Sequence, residues 1–96
     1  MELKKAWNIF KEDYMRETGR KAKFYMTAAQ IKNGTATAYI GRSDFITEQD
    51  IEAFLRTFAE SKALKKFEEN AGVKVMLRHV TATEGGYTFH YIRFNY

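Results

Sequence analysis

Ninety-six residues, 45% of them hydrophobic and 16% aromatic, make one domain that buries about 65% of its unfolded surface and exclude a disordered chain. The absence of cysteine excludes disulfides, thiolate nucleophiles and cysteine-ligated zinc. Sixteen Lys and Arg against twelve Asp and Glu give a net charge of +4 and a pI near 9.4, which favours anionic partners over cationic ones.

The chain begins Met1-Glu2-Leu3-Lys4-Lys5 without the apolar stretch of a signal peptide, and no apolar run reaches membrane-spanning length. The expectation is a cytoplasmic protein with no membrane partner. Leu3, Ala6, Trp7, Phe10 and Tyr14 recur at three- and four-residue spacing and predict an amphipathic helix. Gly19 closes it.

Residues 22 to 42 alternate around Asn33-Gly34, a strong short hairpin signal. A two-residue turn there pairs Ile31 with Ala36, Ala29 with Ala38 and Thr27 with Ile40. It leaves Phe24, Met26, Gln30, Thr37 and Tyr39 on the opposite face. Thr27-Ala28-Ala29-Gln30 also reads as a helix capping box, so a short helix competes with the hairpin, which is the preferred reading.

Thr47 with Asp50 starts a second helix, stapled by Ile46 and Ile51. Ile51, Phe54, Leu55 and Phe58 form its stripe, but Ala63, Leu64, Phe67 and Ala71 point the other way at about 100° per residue. The helix therefore either breaks near Ser61, the preferred reading, or offers its distal half to a second subunit. Gly72 ends it. A second hairpin over 73–83 and 87–96 turns at Gly85-Gly86 and pairs Ala82 with Phe89, Val80 with Tyr91, His79 with Ile92 and Arg78 with Arg93. Val73, Val75, Leu77, Ile92, Phe94 and Tyr96 read as its core face.

The chain thus spells helix–hairpin twice, in units of about 1–42 and 43–96. Gly19 aligns with Gly72, Lys21 with Lys74, Tyr39 with Tyr91 and Ile40 with Ile92, too few identities to mark a duplication. The expected fold is α+β, of order α-β-β-α-β-β, with a four-stranded antiparallel sheet and helices packed on one face.

No catalytic motif is present. Ser43 and Ser61 lack a nucleophile setting, and His79 and His90, near-diagonal neighbours on one face, find no third metal ligand. Neither a cofactor nor a metal is expected, and an enzyme is not. The outer sheet face instead gathers Tyr39, Tyr87, Phe89 and Tyr91 around Arg78 and Arg93, which oppose each other across the hairpin. Like charges so placed repel, and an anion between them relieves the cost. Aromatic faces beside arginines suit single-stranded nucleic acid. Two basic clusters, Arg16, Arg20, Lys21 and Lys23, then Lys62, Lys65 and Lys66, extend that chemistry.

These residues make a nucleic acid or a nucleic-acid-bound protein complex the expected partner of a non-catalytic binding protein. Tyr, Phe and Arg are equally the residues of protein hot spots. An alternative is therefore an inhibitor that blocks a host protein, in the manner of phage-encoded anti-CRISPR proteins. A structural homo-oligomer, beginning with a homodimer, is a further alternative.

Overall fold

The computed structural model describes residues 1–20 and 22–96; Lys21, one of the predicted basic residues, lies outside them. The elements run α1 (Leu3–Thr18), β1 (Lys23–Tyr25), α2 (Ala28–Asn33), β2 (Thr35–Arg42), α3 (Glu48–Glu60), α4 (Lys62–Ala71), β3 (Met76–Glu84) and β4 (Tyr87–Asn95). All strand pairs are antiparallel and the sheet order is β1-β2-β4-β3. This is the predicted α+β class with a four-stranded antiparallel sheet.

The helices form where the apolar stripes require. Ala6, Trp7, Phe10 and Tyr14 are the buried face of α1, and Gly19 closes it in the left-handed conformation with its N–H on the Met15 carbonyl. Trp7 has no exposed surface. It meets Phe10, Phe24, Phe67 and Phe94 at ring-centroid distances of 5.0 to 5.7 Å, mostly edge-to-face, the geometry that aromatic quadrupoles favour. Tyr14 stacks on Phe58 at 4.4 Å. These rings, with Ala36, Ala38, Ile92 and Phe94 of the sheet, form one core between α1, α3, α4 and one sheet face.

The second helix breaks at Ser61, as expected. Ser61 adopts an extended conformation (φ −66°, ψ 131°) and its hydroxyl accepts from the N–H of Ala63 and Leu64. The kink turns Ala63, Leu64 and Phe67 into the same core as Phe58. The apolar stripe of the distal half is therefore covered by its own chain.

The first hairpin is replaced. Thr27-Gln30 forms a complete capping box, with Thr27 Oγ1 accepting from Gln30 N at 3.2 Å and Gln30 Oε1 accepting from Thr27 N at 2.7 Å. The capping box nucleates α2, and Ala28 and Ala29 are good helix formers. A two-residue hairpin turn of the favoured kind at Asn33-Gly34 would need positive φ at both residues. Only Gly34 has it, at 69°, as the helix C-cap. The predicted pairs Ile31–Ala36, Ala29–Ala38 and Thr27–Ile40 are not formed. Instead β1 pairs with β2 as Lys23–Tyr39, Phe24–Ala38 and Tyr25–Thr37.

That register differs from the expected one by an odd number of residues, which exchanges the faces of β1. Phe24, expected on the open face, packs among Trp7, Phe10, Tyr14 and Phe58. Met26, expected beside it, is buried. Tyr25 and Lys23 take the open face instead.

The second hairpin matches its prediction pair for pair, including Arg78–Arg93, His79–Ile92, Val80–Tyr91 and Ala82–Phe89. Its turn residues Gly85 and Gly86 have φ of 59° and 81°, as a mirror-image hairpin turn requires.

Candidate functional site

Among the described residues no long helix covers the outer sheet face. Alternation along the strands places Lys23 and Tyr25 of β1, Thr35, Thr37 and Tyr39 of β2, Tyr87, Phe89, Tyr91 and Arg93 of β4, and Met76, Arg78 and Val80 of β3 on it. The short α2 stands at one end, where Gln30 Nε2 donates to Thr37 Oγ1 at 3.1 Å. Tyr39 sits at the centre, 5.5 Å from the Tyr91 ring and 6.2 Å from Phe89. Tyr25 and Tyr87 are 43% and 47% exposed. The rings thus present a partly open aromatic surface.

Arginine brackets this surface. Arg78 and Arg93 are directly opposed in the β3–β4 ladder, and the next positions in the same row are Thr37 and Tyr25. Among the described residues none of Lys23, Arg78 and Arg93 has a carboxylate within ion-pair distance.

A fourth cation, Arg42, was not anticipated from sequence. The register shifts between Tyr39 and Gly41, so that Arg42 faces Phe89; such an irregularity re-aims the side chains beyond it. The Arg42 guanidinium lies over the Tyr87 ring at 4.1 Å and over Phe45 at 4.9 Å. Both its Nε and Nη2 reach Asp44 at 2.8 Å, a bidentate pair that fixes the fork. Gly41 inside an alternating strand was the available signal. Tyr25 had none, because its face depends on the register that α2 sets.

The remaining predicted cations lie elsewhere. Arg16, Lys62 and Lys66 meet on the helical layer, where Asp13 of α1 pairs with both Arg16 (3.2 Å) and Lys66 (3.3 Å). Arg20 lies over the Phe54 ring of α3 at 5.0 Å. Lys65 is exposed on α4. Among the described residues of the basic clusters, Lys23 is therefore the member that joins the aromatic face. From Lys23 and Tyr39 a groove of about 700 Å³ runs around the β1 edge toward α1. Its floor is Met15, Ala22, Phe24 and Ile40, and Lys11 and Arg20 stand at its rim.

The two histidines form a chain on the helical side of the sheet. Ser43 Oγ is 2.7 Å from His90 Nε2, and His90 Nδ1 is 2.8 Å from His79 Nε2. The imidazoles are tilted only 14° apart with centroids at 5.0 Å. That separation is the nitrogen–nitrogen distance plus two ring radii, so the contact is an in-plane hydrogen bond. Burial and the neighbouring His79 hold His90 below its ordinary value of 6.5. Among the described residues no third metal ligand joins them.

No helix among the described residues is long and apolar enough to cross a membrane. No family model, curated protein or solved structure matches the chain.

Proposed function

We propose that this protein is a non-catalytic binder of single-stranded nucleic acid, which it holds on the open sheet face. The observation that carries the reading is the pairing of Arg78 with Arg93 across the ladder, without carboxylate partners, beside the cluster Tyr39, Phe89 and Tyr91. Opposed like charges cost stability in the free protein, and a phosphate between them removes that cost. The rings offer flat partners to unstacked bases, each stack worth about 1–3 kcal/mol. Lys23 continues the positive track along the row Lys23–Tyr39–Tyr91. Arg42 serves as an edge of the platform more than as a phosphate ligand, because Asp44 already occupies its fork.

The test is titration of short labelled single-stranded DNA and RNA with the wild-type protein and with Arg78→Ala/Arg93→Ala. The double variant is expected to bind at least about tenfold more weakly, since each charge-assisted contact contributes about 1.5–3 kcal/mol. Its fold should be retained, because both side chains project from the uncovered face. Equal affinity of the two proteins would place the binding surface elsewhere. No binding at low salt would leave the same face to a protein partner.

A further inference from the structure

The two edges of the sheet are unequal. The β1 edge is three residues long, whereas β3 presents nine, Met76–Glu84. No register shift interrupts the β3–β4 ladder, and β3 carries neither proline nor lysine. It therefore lacks proline, lysine, a bulge and short length among the devices that blunt edge strands, and its charges are those of Arg78 and Glu84. Among the described residues, no backbone group of 76–84 makes a hydrogen bond outside that ladder, either to another backbone or to a side chain. Roughly half of its N–H and C=O groups consequently point outward, and most of the strand is exposed.

We infer that β3 is a self-pairing edge, on which a second copy of this chain adds antiparallel to make a continuous eight-stranded sheet. Two-fold symmetry pairs a residue with its counterpart on the same face. A two-fold at Thr81 sets Val80 against Ala82, His79 against Thr83 and Arg78 against Glu84 of the partner subunit, twice over. A two-fold at Val80 gives a longer overlap but sets Arg78 against Ala82 and Glu84 against Met76, leaving both charges unmatched. Charge complementarity thus selects the Thr81 register. Within one chain Arg78 faces Arg93, and Glu84 faces Tyr87. Neither Arg78 nor Glu84 has an ion-pair partner among the described residues. The dimer supplies one to each, so at Arg78 the pairing competes with a bound phosphate, and the phosphate contacts proposed above are those of the unpaired chain. The pairing does not depend on the nucleic-acid reading, and it is measured with no nucleic acid present.

Sedimentation velocity of the full chain at low salt, from micromolar to near-millimolar concentration, should show a reversible monomer–dimer equilibrium. Arg78→Glu and Glu84→Arg should each weaken it roughly tenfold or more, because each sets like charges opposite each other at both ends of the pair. An equimolar mixture of those two variants should associate again, since each chain complements the other at both positions. Circular dichroism checks that each variant is folded. A wild-type protein that stays monomeric throughout overturns the inference. So does association that both substitutions leave unchanged, or a mixture no stronger than its components.

Discussion

Tyr39 and Tyr91 face each other across the central β2–β4 pair, their ring centroids 5.5 Å apart. They are also the residues that align when the two halves of the chain are superimposed by sequence. The sheet order β1-β2-β4-β3 sets the second strand of each half against the other, with the first strands outside. The doubled helix–hairpin read from the sequence survives only in that strand order, because α2 replaces the first hairpin turn; Tyr39 and Tyr91 stand in the middle of the proposed binding face. Replacing Tyr39 or Tyr91 with Ala should cost about 1–3 kcal/mol of single-strand affinity if a base stacks there. Oligonucleotide titration checks this, with thermal melts as the control for folding.

Glu17 and Ser61 tie the first helix to the last. Ser61 Oγ donates to Glu17 Oε2 at 2.7 Å, and the N–H groups of Lys62 and Ala63 reach the same carboxylate at 2.8 and 3.2 Å. Burial pushes the Glu17 pKa up, but these hydrogen bonds and the Lys62 charge outweigh it and leave the group below its ordinary value of 4.5. Ser61→Ala removes the local cap and one of the three hydrogen bonds to Glu17, and should cost about 1–2 kcal/mol in denaturant unfolding. A depressed carboxylate stabilises the fold above its unfolded pKa. The Glu17 contribution is thus complete above about pH 4.5 and is lost as the pH falls through the folded value. Glu17→Gln should flatten that part of the acid unfolding profile.

Gly34 is held by Tyr96. Its carbonyl accepts from Tyr96 N at 2.8 Å, and a Cβ there would lie 2.8 Å from the Tyr96 carbonyl oxygen. Gly34→Ala should therefore cost more than the roughly 1–2 kcal/mol of left-handed backbone alone, because backbone must also move. A melting temperature within a degree of wild type would show that the α2 C-cap is not built this way.

Tyr14 is buried against Phe58, and among the described residues its hydroxyl, like Trp7 Nε1, has no hydrogen-bond partner, the Thr18 hydroxyl beside it donating to the Tyr14 carbonyl instead. A buried unpaired polar group costs about 1–3 kcal/mol. Tyr14→Phe should leave the core packing intact and raise stability, a sign opposite to that of most core substitutions. Chemical denaturation decides between the two signs.

His90 gives a pH signature at the Ser43–His90–His79 chain. Its folded pKa lies below the ordinary 6.5, so the unfolded state binds more protons between the two values. Its contribution is complete above about pH 6.5 and declines as the pH falls toward the folded value. His90→Gln should remove that decline from a stability profile between pH 5 and pH 7.5, and NMR titration of His90 should place its midpoint below that of an unfolded peptide.

How far the sequence could be read followed from how local each signal was. The Gly85-Gly86 turn, the Thr47 cap, the Ser61 break and the Gly19 and Gly72 stops are each decided by neighbouring residues, and each was legible. The segment from Thr27 to Gly34 carried two local signals, a capping box and a hairpin turn. The outcome rested on Asn33 remaining helical, and on the space that Tyr96 leaves beside Gly34. Misreading that segment shifted the β1 register and exchanged Phe24 for Tyr25, a consequence no residue of β1 reveals by itself. Arg78, Arg93, Phe89, Tyr91, Tyr87 and Tyr39 were found because their strands alternate regularly. Arg42 was missed because a shift at Gly41 breaks the alternation just before it. Arg16, Lys62 and Lys66 were grouped with the sheet by charge, yet the α1–α4 packing carries them to the helical layer.

The measurement that bears most directly on the binding face is the salt dependence of wild-type affinity for a single-stranded oligonucleotide. Each neutralised phosphate on a single strand contributes a slope of about −0.7 to log K against log salt. Lys23, Arg78 and Arg93 acting together predict a slope near −2, and Arg78→Ala/Arg93→Ala should reduce it to less than −1 in magnitude. A wild-type slope near zero, or one that the double variant leaves unchanged, would contradict the assignment of this face to nucleic acid.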